Sequence, residues 1–220
     1  MHYILVVDVS GSGRKEISEI QTALDRTMQF LRDHMRADRD QVALVDFNDE
    51  VYLDQKLTSD LQQFQAALLK ALEFRGGTAL FDALDRAGNY ARKTPGPARN
   101  ILLVIADGID NSSHVSREQA VRAAQSDGVT VVGLHLTETQ PHDGKATLQQ
   151  LASKTGGLVV DAANPRELEA SLPKVATLLD CGYLARYPRP ASRPGEHRIE
   201  IKPVNRGGAT ILAPEHIADH

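Results

Sequence analysis

The sequence predicts an α/β domain with a doubly wound, mainly parallel central sheet and helices on both faces. Two observations point to this fold. Short, almost continuous runs of Val, Ile and Leu recur along the chain, as in YILVV (3–7) and ILLVI (101–105). Segments with apolar residues at three- and four-residue spacing, typical of amphipathic helices, separate these runs. Strands that are apolar throughout are typical of parallel sheets covered on both faces.

The apolar runs predict the strands of the sheet. The predicted strands are 3–7, 42–47, 51–57, 101–105, 129–136 and 158–160. The second and third are separated only by Asn48, Asp49 and Glu50, which favours a hairpin. The remaining strands are separated by helical segments, which favours parallel pairing.

The segments between the strands predict six helices. They are 16–35, 61–72, 80–92, 116–125, 146–154 and 165–179. Ser116 with Gln119 fits a capping box. Asn164 fits an N-cap, because Pro165 follows it at the first helical position.

The composition changes after Cys181. A Pro-rich loop (188–195) separates two extended runs, 183–187 and 197–204, which favour a β-hairpin or added edge strands. A flexible linker is the alternative. We therefore divide the chain into the α/β domain (1–181), a C-terminal β extension (182–204) and a tail (205–220).

Composition excludes several classes of function. The net charge is −4, with no long basic run, which argues against nucleic-acid binding. The one cysteine excludes an internal disulfide and a cysteine-based zinc site. The longest apolar runs fall far short of the roughly 20 residues that span a membrane. No signal peptide is visible, and the sequence leaves the cellular location open.

Oxygen-bearing side chains follow two of the buried strands. Asp8, Ser10 and Ser12 come directly after the first strand, and Asp107 follows the fourth. Thr78 precedes a helix, directly after two glycines. The carboxyl ends of parallel strands meet at one edge of a sheet, so Asp8 and Asp107 can face one crevice. Carboxylates and hydroxyls are hard ligands, suited to Mg²⁺, Mn²⁺ or Ca²⁺.

The charge of this set suggests how it acts. Two carboxylates and three hydroxyls neutralise a divalent cation without exceeding its charge. Mg²⁺ demands octahedral coordination and retains water where protein ligands are lacking. One coordination position can therefore be completed by an Asp or Glu carboxylate of a partner protein.

The same residues resemble the metal-ion-dependent adhesion site of von Willebrand factor A domains. That pattern is Asp-x-Ser-x-Ser, then a distant Thr and a distant Asp, and it is filled here by Asp8, Ser10, Ser12, Thr78 and Asp107. The segments GGTALFDAL and ADGIDNSS also resemble an acidobacterial-type bacterial subgroup of the family. The resemblance covers roughly residues 3–204.

The resemblance implies a Rossmann-like fold and a protein-binding module without catalytic residues. It implies that an acidic side chain of a protein ligand bridges to the bound cation. Ser10, Ser12 and Thr78 would be direct ligands, with Asp8 and Asp107 binding directly or through water. Relatives in the subgroup are often exported, which favours an extracytoplasmic location.

An enzyme is the main alternative. A strand-terminal Asp and the later ADGIDN also suggest phosphotransferases of the haloacid-dehalogenase type, which use an Asp nucleophile, an acid/base Asp two residues on, and Mg²⁺. Ser10 occupies that second position, so the general acid is missing. The absence of GxxxxGK[ST] argues against a nucleoside triphosphatase. A structural domain with an unused metal site is the third alternative.

Other titratable residues are expected to have ordinary roles. Asp110 either caps the following turn or orients Asp107, and Asp82 is a helix-surface residue or a packing partner of the loop. Asp46 and Asp49 are expected at a strand end and in the hairpin. The histidines form no pair typical of metal binding on a helix face, and we expect them at the surface or hydrogen-bonded in the core.

Overall fold

The computed structural model describes residues 1–11, 17–96, 98–126, 128–136, 143–161, 165–180, 196–198, 201, 213 and 216–218. Its strands are β1 (His2–Asp8), β2 (Gln41–Phe47), β3 (Val51–Thr58), β4 (Asn100–Ala106), β5 (Val129–His135), β6 (Leu158–Asp161), β7 (Glu196–Arg198) and β8 (His216–Ala218). Its helices are α1 (Ile17–His34), α2 (Leu61–Ala71), α3 (Leu80–Lys93), α4 (Arg117–Ser126), α5 (Gly144–Lys154) and α6 (Pro165–Asp180). The six strands and six helices up to residue 180 follow the predicted order.

Strands β1 to β6 form one sheet, in the order β3-β2-β1-β4-β5-β6. Neighbouring strands are parallel, except that β2 and β3 form the predicted antiparallel hairpin. The strand order reverses between β1 and β4, so their carboxyl ends form the switch point at which open α/β sheets bind ligands. The predicted fold class, a mainly parallel α/β sheet with helices around it, is confirmed.

Helices cover both faces of this sheet. Leu5 and Val7 of β1 pack in a cluster with α1, α2 and α6, whereas Ile4 and Val6 pack in a cluster with α3, α4 and α5. All seven residues of β1 are therefore buried. This two-sided burial explains why residues 3–7 of the strand are all apolar instead of alternating between apolar and polar residues.

The ends of two helices follow local sequence signals. The Ser116 N–H donates to Gln119 Oε1 at 2.7 Å, and the Gln119 N–H donates to Ser116 Oγ at 3.3 Å, which confirms the capping box. Asp60 caps α2 by accepting from the N–H groups of Gln62 and Gln63. Asn164, the predicted cap of α6, lies outside the described residues.

The C-terminal part differs from the expected hairpin where it is described. β7 pairs antiparallel with β8, which lies in the segment expected to be a tail. The predicted strand 183–187 lies outside the described residues, and the divisions at 181 and 204 stay predictions. In the described ranges, none of the helices combines the length and the apolar character needed to cross a membrane.

Candidate metal centre

The first loop of the predicted site leaves the carboxyl end of β1. Asp8 is 5% exposed and Ser10 is 1% exposed, so both polar side chains are buried where the strand ends. The Ser10 N–H donates to Asp8 Oδ1 at 2.9 Å. Such a bond, from the backbone two residues on, makes an Asx turn that orients the carboxylate. Ser12 lies outside the described residues.

The second loop leaves β4 with the same local geometry. Asp107 is 5% exposed, and its Oδ1 accepts the N–H of Ile109 at 2.9 Å. Gly108 between them has a φ of +84°, and a Cβ there would lie 2.2 Å from the Gly144 carbonyl oxygen. Glycine is therefore required, for its conformation and for the close approach of α5. The two carboxylates thus end adjacent strands, and each is oriented by its own turn.

The third loop connects α2 to α3 and carries Thr78, which is 4% exposed. Backbone hydrogen bonds join this loop to the β1 loop. The Arg75 N–H donates to the Val9 carbonyl at 3.0 Å, and the Gly11 N–H donates to the Gly76 carbonyl at 3.0 Å. Because these bonds flank Ser10 on one loop and precede Thr78 on the other, they bring two predicted ligand segments side by side.

The loop after β4 contacts Thr78 from the other side. The Thr78 N–H donates to Asn111 Oδ1 at 2.8 Å, and the Thr78 carbonyl accepts from the N–H groups of Asn111 and Ser112, each at 3.0 Å. Gly77 permits this contact, because a Cβ there would lie 2.1 Å from Ser112 Oγ and 2.8 Å from Asn111 Oδ1. Thr78 is therefore held between the loops that carry Asp8 and Asp107.

The donor chemistry of the described site residues fits a hard divalent cation. Asp8 and Asp107 supply carboxylates, and Ser10 and Thr78 supply hydroxyls, all from buried positions at one edge of the sheet. Within the part of the chain that the structure describes, no three His, Cys, Asp or Glu residues group in a way that could hold a metal ion. A cation at this edge would therefore depend on hydroxyl oxygens as well as on the two carboxylates.

A second acidic pair, Asp46 with Asp54, lies on the β2–β3 hairpin beside the site. The pairing register shifts between Leu44 and Val45, and Asp54 is the additional residue of β3 at this irregularity. Asp46 is 5% exposed, and its Oδ1 has no hydrogen-bond partner. Burial, together with the hydrogen bond and the negative charge of Asp54, raises the pKa of Asp46 to about 7. The sequence identified Asp46 only as a strand-end residue.

The chain matches a known domain family and a common fold. The model of the von Willebrand factor type A domain matches residues 4–174. No curated protein sequence matches significantly. The structure is similar to the von Willebrand factor type A protein from Catenulispora acidiphila, with a TM-score of 0.64 and 20% identity, over 80% of this chain and 41% of that chain. This chain therefore spans about two fifths of that protein.

Two further solved structures share the fold. Proximal thread matrix protein 1 from the mussel byssus has a TM-score of 0.64 and 21% identity, over 82% of this chain and 45% of that chain. The pilus adhesin SpaC from Lactobacillus rhamnosus GG, in its open conformation, has a TM-score of 0.61 and 16% identity, over 80% of this chain and 29% of that chain. At such identities these similarities show the fold alone.

The acidic pair predicts a pH-dependent stability. Because the pKa of Asp46 is raised from 3.8 to about 7 on folding, the folded state binds more protons than the unfolded state between these values. The stabilisation that Asp46 contributes should thus be complete below about pH 4 and should decrease as pH rises toward 7. The total decrease in the free energy of unfolding should be at most ~4 kcal/mol. Urea denaturation from pH 4 to pH 8 measures this loss.

Asp46→Asn should remove that part of the pH dependence, because its amide can donate to Asp54 at every pH. Asp54→Asn should reduce the pH dependence only in part, because burial, the largest cause of the raised pKa of Asp46, remains. Equal pH slopes in the wild type and in Asp46→Asn would show that folding does not raise the pKa of Asp46.

Asp107→Asn should leave the metal-free protein equally stable or slightly more stable. The substitution removes repulsion between Asp107 and Asp8. The amide oxygen of Asn can still accept the Ile109 N–H, so the turn is preserved. Urea denaturation in EDTA measures the stability, and a large loss there would mean that Asp107 is a structural residue.

Proposed function

The chain belongs to the von Willebrand factor type A domain family, and we propose that it is a metal-dependent, adhesion-type protein-binding module. The family is typically used for adhesion and protein–protein interaction. In this proposal a divalent cation, Mg²⁺, Mn²⁺ or Ca²⁺, is bound by Asp8, Ser10, Ser12, Thr78 and Asp107. A carboxylate of an Asp or Glu side chain of the partner protein completes its coordination.

The observation that carries the proposal is the hydrogen-bonded convergence of three loops at the switch point. The β1 loop bonds to the Thr78 loop through Arg75 and Gly11, and the β4 loop bonds to Thr78 through Asn111. The backbone and side chains of the protein itself make these bonds. They hold the donor segments in place, which lowers the cost of ordering the donors when a ligand binds.

The charges of the donors support binding of an external anion. Ser10 and Thr78 contribute oxygen without charge, so the negative charge of the set comes from Asp8 and Asp107. A bound divalent cation supplies an electrophilic centre that accepts an anionic oxygen. The hydroxyls act as direct ligands, and the carboxylates, oriented by their turns, bind directly or through water.

The same loops offer little support for a phosphotransferase. Ser10 stands two residues after Asp8, where such an enzyme has its acid/base carboxyl, and a serine hydroxyl is a poor proton donor at neutral pH. The imidazole on the β4 loop, His114, is 90% exposed and bonds to Asp82. We therefore propose that the protein binds a partner without catalysis. Membership of the acidobacterial-type subgroup stays a prediction.

Mg²⁺ or Mn²⁺ should stabilise the folded protein, because the unfolded chain scatters the ligands. The free energy of unfolding should rise by about 2.7 kcal/mol at a metal concentration 100 times Kd. Thermal unfolding with metal and with EDTA measures the shift. Asp8→Ala and Asp107→Ala should abolish it and still fold, whereas Asp38→Ala, at a side chain 76% exposed, should retain it. Shifts that persist in both site variants would contradict the assignment.

Partner binding should depend on metal and should occur without turnover. EDTA should release a captured partner, and a Glu- or Asp-containing peptide should compete with it. Thr78→Ala should weaken capture while leaving the fold intact, since one oxygen ligand is lost. A phosphate-release screen run beside the pull-down tests the alternative: Mg²⁺-dependent turnover that disappears in Asp8→Asn would favour the phosphotransferase.

A further inference from the structure

Side chains of the loop after β4 cap the N-terminus of α3. Ser113 Oγ accepts from the N–H groups of Phe81 and Asp82 at 3.0 and 3.1 Å. Asp110 Oδ2 accepts the Phe81 N–H at 3.1 Å and the Ser113 hydroxyl at 2.5 Å. Ala79, at the N-cap position of α3, makes no such side-chain bond. The loop therefore satisfies backbone donors that the helix itself leaves unpaired.

A second set of bonds runs in the opposite direction, from the loop to a side chain of α3. The Asp82 carboxylate accepts from the N–H groups of His114 and Val115 at 3.0 and 2.9 Å, and lies 2.9 Å from His114 Nδ1. Burial opposes the ionisation of Asp82, but the hydrogen bonds from Val115 and His114 outweigh it and lower the pKa of Asp82. Asp82 is thus an ionised acceptor for the loop at neutral pH.

We propose that these reciprocal caps, the α3 clasp (Asp82, Asp110 and Ser113), position two metal ligands relative to each other. Thr78 lies three residues before Phe81, and Asp107 lies three residues before Asp110. The clasp therefore joins the two ligand segments just beyond the ligands themselves. The inference rests on the proposed function, because positioning matters only if Thr78 and Asp107 bind a common cation.

The clasp acts on Thr78 through the loop and not by direct contact. Among the described bonds, Thr78 is held by Asn111 and Ser112, whereas Asp82 holds His114 and Val115. If the caps served only α3, their loss would lower the stability of the helix and leave metal affinity unchanged. If they also position ligands, their loss must lower metal affinity, since the groups around metal ligands set the ligands' orientation.

Asp82→Ala is the variant that tests the clasp, because it removes the carboxylate that accepts the N–H groups of His114 and Val115. Asn would be a weaker test, since Oδ1 alone accepts both N–H groups and would be retained. Asp85→Ala, one turn further along α3, is the matched control, because it removes only the bond that Asn89 of the same helix donates to Asp85. Val121→Ala, at a buried position on α4, controls for a general loss of stability.

Two measurements on the purified chain distinguish the outcomes. Calorimetric titration with Mn²⁺ should show a Kd about tenfold higher in Asp82→Ala, and an unchanged Kd in both controls. Hydrogen exchange of the metal-free protein should be faster at the Thr78 amide in Asp82→Ala only. A Kd equal to that of Asp85→Ala would overturn the clasp while leaving the proposed function intact.

Failure of the proposed function has a different signature. A wild type that binds no Mn²⁺ would refute the metal site and, with it, the positioning role of the clasp. The exchange measurement needs no metal, so it still tests whether Asp82 holds the loop that contacts Thr78. Unchanged exchange at Thr78 in Asp82→Ala would overturn that role too, since the loop and α3 would then be independent.

Discussion

The parallel pairing of β1 with β4 is the interaction on which the rest of the structure depends. Val7 lies opposite Ile105, so the two strands leave the sheet together and their first polar residues, Asp8 and Asp107, emerge at one edge. Burial of both strands on both faces drives this pairing, because residues 3–7 of β1 and 101–106 of β4 are all apolar. The site therefore follows from the core: where the apolar runs stop, the carboxylates begin.

The neighbouring hairpin supports the loops that leave this edge. The Phe47 carbonyl accepts the Val9 N–H at 2.8 Å, and the Asn48 carbonyl accepts the Ala79 N–H at 2.6 Å. The end of β2 thus bonds to the segments that hold Asp8 and Thr78. Asp46 is the residue before Phe47, so the acidic pair lies in the strand that carries this support. The segments that carry the predicted metal ligands are consequently held by backbone hydrogen bonds from three directions.

The sequence predicted the elements well, because apolar spacing reports burial directly. It also singled out Asp8, Ser10 and Asp107 at strand ends and Thr78 before α3, because carboxylates and hydroxyls in such positions are typical of hard-cation sites. It did not predict the hydrogen bond from Thr78 to Asn111, which joins residues far apart in the chain. Such pairings depend on how loops pack in three dimensions, and the local periodicity of the sequence does not predict them.

Three acidic residues illustrate the limit further. Asp82 was expected on the helix surface or against the loop, and the structure shows the second role in detail. The Asp46–Asp54 pair depends on an irregularity in the register between β2 and β3, and the alternation of residues along β3 does not reveal it. A single inserted residue changes which side chains face each other.

The most direct test of the account is a crystal structure of the protein soaked in Mn²⁺, with anomalous scattering used to locate the ion. Metal binding at the switch point predicts an anomalous peak there, from an ion bound by oxygens of the loops that carry Asp8, Thr78 and Asp107. A carboxylate from a neighbouring molecule or a water should complete the coordination. A soaked crystal with no peak at that edge, or with a peak only elsewhere, would contradict the metal-dependent function.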